Sequence, residues 1–451
     1  QLGDAIKRTC FSVQERNEWQ KERLLALIKH AKTHSAYYQK AMAHVELENL
    51  EALPTAAEIA GCLPTLTKYD VMNHWDEIST DPRLNLKDAQ DHLNDLIAGR
   101  SENAYFLDQY YILATGGTTG TRGIFVWEWD LVADSMVACM RFQHQAQLSA
   151  STSKRTALVA AQSLIHASGA IFSMLPKVDG GECCKIPVDQ PLEQLIAQLN
   201  EYQPTRLIAY ATVIQQLALA QKDGRLQIQK LDWVFSIAEQ LEESARQAAM
   251  KAWKNCHVFD AYGTSETAAI AMETVDHDGM IIHEDSILVE SIQDEGNDTT
   301  RTFMTRFYGY NFPLLRYEVT DVLTLTEPST NSKEQMAPNF RRIQQVKGRS
   351  DVYFDYDGIK VAPLVFRTIL LHYGDTIVEY QVVQTKQGAD IQCIVADNDP
   401  ETGFLIQLER ELSTKLVSVG LKDPTVKARI VKSLPRHEET GKIRKFIPLA
   451  K

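Results

Sequence analysis

Several patterns that would assign this chain of 451 residues to a protein class are absent from its sequence. No apolar run approaches the roughly 18 residues that a membrane-spanning helix requires, so we expect no transmembrane segment. No signal-peptide pattern opens the chain, which begins at Gln1 rather than at a methionine, so we expect its natural start to be missing. The chain has fewer basic residues (47) than acidic ones (59), and the net charge of −12 argues against a nucleic-acid or anionic-membrane partner for the whole protein.

The cysteines lack the spacings of a disulfide framework or a zinc site. There are seven of them, an odd number, and no C-x-x-C occurs. The adjacent pair Cys183 and Cys184 is unsuited to an ordinary disulfide or to a shared tetrahedral zinc site. Free thiols in a reducing compartment are the simplest interpretation, so the predicted location is the cytoplasm.

The composition that is present is that of an ordinary globular protein, with 44% hydrophobic and 24% charged residues. The length is about three times that of a typical domain, which predicts two or more units. Strands that alternate with helices between residues 156 and 253 predict an α/β class with a largely parallel sheet. After Arg349 the pattern changes to a small α+β unit, so the predicted domains are residues 1–349 and 350–451. Residues 13–92 read as polar helices and connectors, and nothing in them indicates chemistry.

The basic residues are concentrated near the end of the chain. Residues 415–451 carry ten basic and three acidic side chains, a net charge of +7, which leaves −19 on the remainder. Such a segment indicates a local anionic partner, either phosphate groups or an acidic carrier protein. A solvated charged face is the alternative.

Residues 110–127 read YYILATGGTTGTRGIFVW, a strand, a loop of small residues and a second strand. Glycines allow the close backbone approach that a phosphate needs, and the loop's N–H groups and threonine hydroxyls form a concave set of donors. It is not a Walker loop, because Gly120 is followed by Thr121 and Arg122 rather than by Lys and Ser or Thr. Taken alone, the stretch is equally consistent with a flexible surface hairpin.

Residues 258–267 read VFDAYGTSET, in which a short strand ends at Asp260 and a polar turn follows. Glu266 stands beside the hydroxyls of Thr264 and Ser265, and Mg²⁺ prefers one or two carboxylates together with phosphate oxygens. The apolar run after Glu266 also predicts a helix beginning near Ala268. The same residues would then form its N-terminal capping box, which the local pattern favours.

Three further residues have two interpretations each. Asp321 ends a predicted strand, where it can accept two hydrogen bonds from a sugar diol or simply begin a turn. His166 is a candidate pocket residue, although such a histidine is more often structural. Lys442, in a charged loop near the end of the chain, is either a mobile cation or part of a disordered basic tail.

The order and spacing of these stretches resemble the adenylate-forming superfamily. Within it they are most similar to the branch of phenylacetate–CoA ligases and coenzyme F390 synthetases, which includes capsule-biosynthesis relatives. The resemblance runs from RLLALIKHAKTHSAYYQKAM at residues 23–42 to the lysine loop near the end. It implies an α/β protein with a large N-terminal domain of layered sheets and a small, mobile C-terminal α+β domain that carries a catalytic lysine.

The resemblance also implies a nucleotide site. The loop that binds the phosphates of ATP would consist of Thr115, Gly116, Gly117, Thr118, Thr119 and Gly120. Two strand ends would contact the adenine and the α-phosphate through Ala238, Glu239, Asp260, Ala261, Tyr262, Gly263, Thr264 and Ser265. Asp321 would bind the ribose hydroxyls, and Arg349 would support the ribose.

In the same way the resemblance implies a catalytic set and an acyl pocket. Glu266 would hold Mg²⁺, Lys442 and Arg122 would be catalytic cations, and Asp351 would be the interdomain hinge. The acyl pocket would be lined by His166, Tyr210, Ile237 and Ala261. These side chains are of medium size and not acidic, which favours a small aromatic or similar carboxylate.

The chain departs from the branch at several positions. The usual loop lysine is replaced by Thr121, although the adjacent Arg122 can still bind phosphate. Thr264 and Ser265 both stand where the branch has one threonine. A cysteine and a Gly-x-His of the branch are replaced at Thr274 and Ile281, so we expect any metal site built from them to be absent.

The predicted function is ATP-dependent activation of a carboxylate to an acyl-adenylate, followed by transfer to the thiol of CoA or of phosphopantetheine on an acyl carrier protein. The cofactors would be ATP and Mg²⁺, with no nucleic-acid or membrane partner; a homodimer is left open. One alternative is an F390 synthetase type of reaction, with AMP transfer to a hydroxyl or amide or ester formation. A second is a non-catalytic nucleotide-binding partner protein, for which the missing loop lysine is the only support.

Overall fold

The structure is a computed structural model of the chain. It describes residues 2–115, 122–145, 154–161, 164–167, 169–170, 181–188, 190–275, 278–293, 300–328, 336–349, 354–361, 363–373, 376–395, 403–436 and 443–449. The helices in these ranges are α1 (Leu2–Arg8), α2 (Val13–His34), α3 (Ala36–Ala41), α4 (Leu47–Glu51), α5 (Ala56–Gly61), α6 (Lys68–Asn73), α7 (Trp75–Ile78), α8 (Leu86–Ile97), α9 (Trp129–Gln145), α10 (Leu192–Tyr202), α11 (Ala211–Lys222), α12 (Glu243–Ala252), α13 (Pro363–Leu370) and α14 (Gly403–Ser418).

The strands fall into five sheets. They are β1 (Tyr105–Phe106), β2 (Tyr110–Ala114), β3 (Ile124–Trp127), β4 (Arg155–Ala160), β5 (Glu182–Pro187), β6 (Arg206–Tyr210), β7 (Trp233–Ile237), β8 (His257–Thr264), β9 (Ala268–Met272), β10 (Met280–Ile282), β11 (Ile287–Gln293), β12 (Thr300–Arg306), β13 (Tyr317–Val319), β14 (Asp321–Thr326), β15 (Arg342–Arg349), β16 (Phe354–Tyr356), β17 (Ile359–Val361), β18 (Ile377–Thr385), β19 (Gly388–Val395), β20 (Thr425–Ile430) and β21 (Phe446–Ile447).

The first eight helices precede all strands. The longest, α2, begins with a capping box in which the Ser12 hydroxyl accepts from the backbone N–H of Glu15 and the Glu15 carboxylate accepts from the N–H of Ser12. Its apolar residues recur at helical spacing and are buried, among them Leu24, Leu27 and Ile28. They belong to a hydrophobic core that also includes β2 and β3, so the N-terminal helices support the strands on either side of the glycine-threonine loop.

The central sheet has nine strands in the order β14-β15-β10-β9-β8-β7-β6-β4-β5. Five strands of this sheet are parallel to one another, namely β5, β4, β6, β7 and β8. The other four, β9, β10, β15 and β14, extend the sheet beyond β8 with antiparallel pairing. All five residues of β6 are buried, as expected for a parallel strand covered on both faces. The carboxyl ends of β6, β7 and β8 therefore meet at one edge, where ligands bind in such sheets.

The prediction of a helix after Glu266 is wrong. Residues Ala268–Met272 form β9, which pairs antiparallel with β8 across the turn at 265–267. A short apolar run fits a buried strand and a buried helix equally well, and here pairing with β8 decides between them. The capping-box alternative is wrong as well, because there is no helix to cap. The Thr264 hydroxyl instead accepts from the N–H of Thr267 at 3.1 Å inside a turn between two strands.

From residue 354 onward the described residues form a C-terminal unit with a hydrophobic cluster of its own, which includes Phe354, Phe366, Val382 and Leu412. The predicted hairpin is present as β18 and β19, and β20 and β21 pair parallel with it. The α/β class with a small C-terminal α+β part is thus confirmed. The boundary between residues 349 and 350 stays a prediction, because residues 350–353 lie outside the described ranges.

Two findings concern the membrane-spanning and disulfide patterns that the sequence lacks. None of the described helices combines the length and the apolarity that crossing a bilayer takes. All seven cysteines are free thiols.

Candidate functional site

A cavity of about 1200 Å³ opens at the carboxyl ends of β6, β7 and β8. Most of the predicted site residues line it, although they come from distant parts of the sequence. These residues are Thr115, His166, Tyr210, Ile237, Ala238, Glu239, Asp260, Ala261, Tyr262, Gly263, Thr264, Ser265, Glu266 and Asp321.

Other predicted residues are placed differently. Gly116, Gly117, Thr118, Thr119 and Gly120 lie outside the described residues, as do Asp351 and Lys442. Arg122 is described, but it is not among the described residues that line the cavity. Arg349 is the last residue of β15, where its backbone pairs with Asp321, and its side chain is not described.

The two ends of the glycine-threonine loop form a closed hairpin stem at the cavity wall. The N–H of Thr115 donates to the carbonyl of Gly123 at 2.9 Å, and the N–H of Gly123 donates to the Thr115 hydroxyl at 3.0 Å. The Ala114 N–H donates to the Ile165 carbonyl at 2.8 Å, which joins the stem to the segment that carries His166. The two strands form a hairpin, but both are buried rather than on the surface, and Thr115 at the end of the stem lines the cavity.

Lys68 is a cavity residue that the sequence analysis missed. A Cβ on Gly123 would lie 2.9 Å from the Lys68 Cε and 3.1 Å from the Thr115 hydroxyl, so the lysine side chain lies against the loop stem. The helices around Lys68 are fixed to the same strand, since the Trp75 indole N–H donates to the Ile124 carbonyl at 2.9 Å. A cation thus stands beside the loop that has no lysine of its own.

The signal that could have revealed Lys68 is local. Thr67 and Asp70 form a reciprocal capping box, which predicts a helix beginning at Lys68 with its side chain in the first turn. The docking of that helix on β3 depends on the tertiary structure and could not be read from the sequence.

Two predicted nucleotide residues are hydrogen-bonded to each other. The Tyr262 hydroxyl donates to the Asp321 carboxylate at 2.7 Å. Asp321 is the first residue of β14, after β13 ends at Val319, and so it begins a strand rather than ending one. A carboxylate beside an aromatic ring on the wall of this cavity can accept hydrogen bonds from ribose hydroxyls while the ring packs on a base.

Glu239 and Ala238 follow β7 in an unusual backbone conformation. Ala238 has a φ of 64°, a left-handed value that is rare for residues other than glycine, and such strain is common at ligand sites. The Glu239 Oε2 accepts from the N–H of Thr212 at 3.1 Å. The other oxygen, Oε1, is buried and has no hydrogen-bond partner among the residues that the structure describes, so it can accept from a donor on a bound base.

Asp260 is buried and is engaged with the protein itself. Its Oδ2 accepts from the N–H of Leu241 at 3.3 Å, and its Oδ1 accepts from the N–H of Ala261 at 3.1 Å. Burial raises the pKa of Asp260 to about 7, and the charge of Glu273 acts in the same direction. Glu273 is in turn bound by both oxygens to Arg246, at 2.7 and 2.9 Å. Asp260 thus fixes the positions of the strand ends around the part of the cavity that the predicted nucleotide residues line (the nucleotide half).

The other half of the cavity is more apolar. His166, Tyr210, Ile237 and Ala261, the residues of the predicted acyl pocket, are on the cavity wall, and the Tyr210 hydroxyl accepts from the N–H of Ala161 at 3.0 Å. Residues of α9 that the sequence analysis did not select complete this wall, namely Met136, Cys139, Met140 and Gln143. Burial raises the pKa of Cys139 to about 11, so its thiol stays neutral.

Comparison with known proteins was made by sequence and by structure. The family model for "AMP-binding enzyme" matches residues 9–327 of the chain. Protein CapK of Staphylococcus aureus is 27% identical over 223 residues, which make up 48% of this chain and 47% of CapK. The chain therefore aligns with about half the length of that relative.

Among solved structures, the chain is similar to 2-hydroxyisobutyryl-CoA ligase in the postadenylation state, in complex with R3-HIB-AMP. The TM-score is 0.72 at 16% identity, over 96% of this chain and 90% of that one. The same ligase in the thioesterification state, with 2-HIB-AMP and CoA, gives a TM-score of 0.56 at 17% identity, over 96% and 90%. At these identities the likeness shows a shared fold, and the family model adds the class: the chain belongs to the AMP-binding enzyme family.

Proposed function

We propose that this protein activates a small carboxylate with ATP, releases pyrophosphate and transfers the acyl group from the adenylate to a thiol. One observation carries the proposal. The stem of the glycine-threonine loop, the Tyr262–Asp321 pair and Glu266 face one cavity in a member of the AMP-binding enzyme family. These parts are suited to phosphates, a nucleoside and a metal ion, and a metal-bound nucleoside triphosphate uses all three.

The binding mode follows from the cavity walls. Asp321 accepts the hydrogen bonds of the ribose hydroxyls, Tyr262 packs on the adenine, and Glu239 is the acceptor for its amino group. The phosphates extend to the loop that begins at Thr115, with Lys68 beside them. Their negative charge is offset by that cation and by loop N–H groups, which act strongly in a cavity of low dielectric.

Glu266 suits a magnesium ion. It is a half-buried carboxylate on the cavity wall, next to the side where the phosphates lie, and Mg²⁺ is usually held by one or two carboxylates and by phosphate oxygens. When bound, Mg²⁺ would neutralise charge that develops on the phosphate oxygens.

The first step needs no side-chain nucleophile. A carboxylate oxygen of the substrate attacks the α-phosphorus, the bond to the β-phosphate oxygen breaks, and pyrophosphate takes the electron pair. The chain holds the two reactants in line and stabilises the charge that grows on the leaving group. Arg122 and Lys442 are the further cations for this charge, and Asp351 is the hinge of the C-terminal unit.

In the second step a thiol sulfur attacks the acyl carbonyl carbon, and AMP leaves with the electron pair of the broken C–O bond. The acceptor is CoA or the phosphopantetheine arm of a carrier protein, and the basic segment from residue 415 onward attracts its phosphates or acidic surface. The apolar wall formed by α9, Tyr210 and Ile237 favours a small aromatic or similar carboxylate.

The test is ATP–pyrophosphate exchange over a panel of small aliphatic and aromatic carboxylates. We expect exchange with at least one acid, and a thioester when CoA or a carrier protein is added. If pyrophosphate is released with a carboxylate but no thioester forms, and the activated acid is trapped as its hydroxamate, the acceptor is a hydroxyl or an amine rather than a thiol. Exchange with none of the acids, despite measurable ATP binding, would favour the non-catalytic alternative and overturn the proposal.

A further inference from the structure

The C-terminal unit contacts the rest of the protein next to the nucleotide half of the cavity. The Arg367 guanidinium on α13 donates to the Gln240 side chain, and the Tyr380 hydroxyl on β18 donates to the Glu242 carboxylate at 3.0 Å. The Lys445 ammonium donates to the same Glu242 oxygen at 2.9 Å. Gln240 and Glu242 directly follow Ala238 and Glu239, so the C-terminal unit is attached to the strand end that borders the adenine site.

The Glu242–Lys445 pair is a buried ion pair rather than a surface contact. The side chain of Glu242 is 11% exposed and that of Lys445 is 21% exposed. Burial on its own would raise the pKa of Glu242, but Lys445, together with Arg367 and the Tyr380 hydroxyl, outweighs burial and the pKa is lowered. Burial would likewise lower the pKa of Lys445, but Tyr380, Glu242 and Glu379 outweigh it and the pKa is raised. Both groups are therefore charged, and each depends on the other for compensation.

The pair also fixes the segment that follows the catalytic-lysine loop. Lys445 is three residues beyond Lys442, and the intervening Ile443 and Arg444 line the cavity. The backbone of this segment is bound to β18, because the Val382 N–H donates to the Lys445 carbonyl at 2.7 Å. The side chain of Lys445 then connects the same segment to Glu242 on the far side of the interface.

We propose that Glu242 and Lys445 are positioning residues that dock the C-terminal unit for adenylate formation and must separate before thiol transfer. The inference rests on the proposed function and extends it to residues that touch neither nucleotide nor acid in the cavity. A pair that holds one orientation of two units stabilises the step that uses this orientation. It contributes nothing to a step that uses another.

The experiment compares the two half-reactions in Lys445→Met and Glu242→Gln. ATP–pyrophosphate exchange reports the first, and transfer from pre-formed acyl-adenylate to the thiol reports the second. We expect exchange to fall by about 10- to 100-fold, the usual effect of losing one hydrogen bond to a charged group, while transfer changes less than about twofold. Lys445→Arg keeps the charge and should restore most of the exchange.

Two further variants separate docking from folding. Lys87→Met removes an exposed lysine on α8 that pairs with Asp91, and it should change neither half-reaction. The exchanged pair Glu242→Lys with Lys445→Glu should recover part of the activity that each single change loses. Equal losses in both half-reactions, or no recovery in the exchanged pair, would overturn the inference.

Small-angle scattering provides a readout that does not depend on turnover. If the pair docks the C-terminal unit, Lys445→Met should have a larger radius of gyration than the wild type and Lys87→Met, at an unchanged melting temperature. An unchanged radius would count against docking by this pair. If the wild type shows no exchange with any acid but Lys445→Met still has the larger radius of gyration, the proposed function is overturned. The docking role of the pair then stands.

Discussion

Among single residues, Lys68 is important because the glycine-threonine loop has no lysine of its own. The Lys68 side chain lies against Gly123 and lines the cavity, so in the proposed binding mode it would compensate phosphate charge from outside the loop. We expect Lys68→Met to raise the KM for ATP by about 10- to 100-fold, the scale of a lost charge-assisted contact, and to leave AMP binding almost unchanged. AMP has no β- or γ-phosphate for the lysine to contact.

Calorimetric titration with ATP and with AMP measures this difference directly. Lys87→Met is the matched control, because it removes a lysine from the first helical turn of α8, away from the cavity. If ATP and AMP lose affinity equally, Lys68 supports the nucleoside half of the site, and the assignment to the phosphates is wrong.

Glu266 allows a second test on the scale of one side chain. Because no helix begins after it, removing its charge costs no capping interaction. We therefore expect Glu266→Gln to raise the Mg²⁺ concentration that gives half-maximal exchange by about tenfold, as expected for one lost ligand charge. The melting temperature should shift little. A large fall in melting temperature with an unchanged Mg²⁺ requirement would show that the carboxylate is structural.

At the scale of elements, the close pairing of β8 with β9 depends on a glycine in β8. A Cβ on Gly263 would lie 2.7 Å from the backbone carbonyl oxygen of Ala268, which cannot move without breaking the strand pairing. Gly263→Ala should therefore lower the free energy of unfolding by about 1–3 kcal/mol, the usual cost of overpacking. It should also weaken nucleotide binding, because Tyr262 and Thr264 flank it.

Chemical denaturation measures the loss in Gly263→Ala against Gly61→Ala. Gly61 ends α5, and a Cβ there meets nothing within 4 Å. Gly61→Ala should be neutral or slightly stabilising. Equal stability of both variants would mean that the two strands can separate at little cost, contrary to the close approach in the structure.

At the scale of the whole molecule, one buried carboxyl group links docking to pH. Glu379 on β18 faces α11, where it accepts from the Gln216 amide at 3.1 Å. Burial raises its pKa from the ordinary 4.5 to about 7, and the carboxylates of Glu239 and Glu242 act in the same direction. Lys445 and Arg436 act against them. In an undocked C-terminal unit Glu379 would meet water and titrate near its ordinary value.

The difference between the docked and the undocked pKa of Glu379 sets the direction of the pH effect. The docked arrangement keeps a proton that the undocked one has already released, so docking is favoured fully below pH 4.5 and loses this contribution as the pH rises through about 7. We expect the rate of exchange relative to thiol transfer to fall between about pH 4.5 and pH 7 and to level off above pH 7. Glu379→Gln carries no titratable proton and should remove this step, whereas a step of the same size in the variant would assign it to another group.

The assembly and the acceptor are also properties of the whole molecule. A homodimer, a carrier-protein partner and a cytoplasmic location stay predictions. The gel-filtration mass and the thioester formed with CoA or with a phosphopantetheinylated carrier would decide the first two.

The amino-acid sequence by itself determined much of the chemistry. Residue types such as glycine and threonine at 115–123, or Tyr262 and Glu266, predict a phosphate loop and a metal ligand when they are taken together in their order along the chain. Alternating strands and helices determined the α/β class for a similar reason, because periodicity is a local property that needs no knowledge of neighbours.

The tertiary structure alone decided which local alternatives hold and which residues meet. The run after Glu266 became a strand because β8 lies beside it, and Lys68 entered the site because α6 docks on β3. The ion pair of Glu242 and Lys445 joins positions about 200 residues apart. Such contacts depend on how the folded chain packs, and no spacing within one stretch of sequence encodes them.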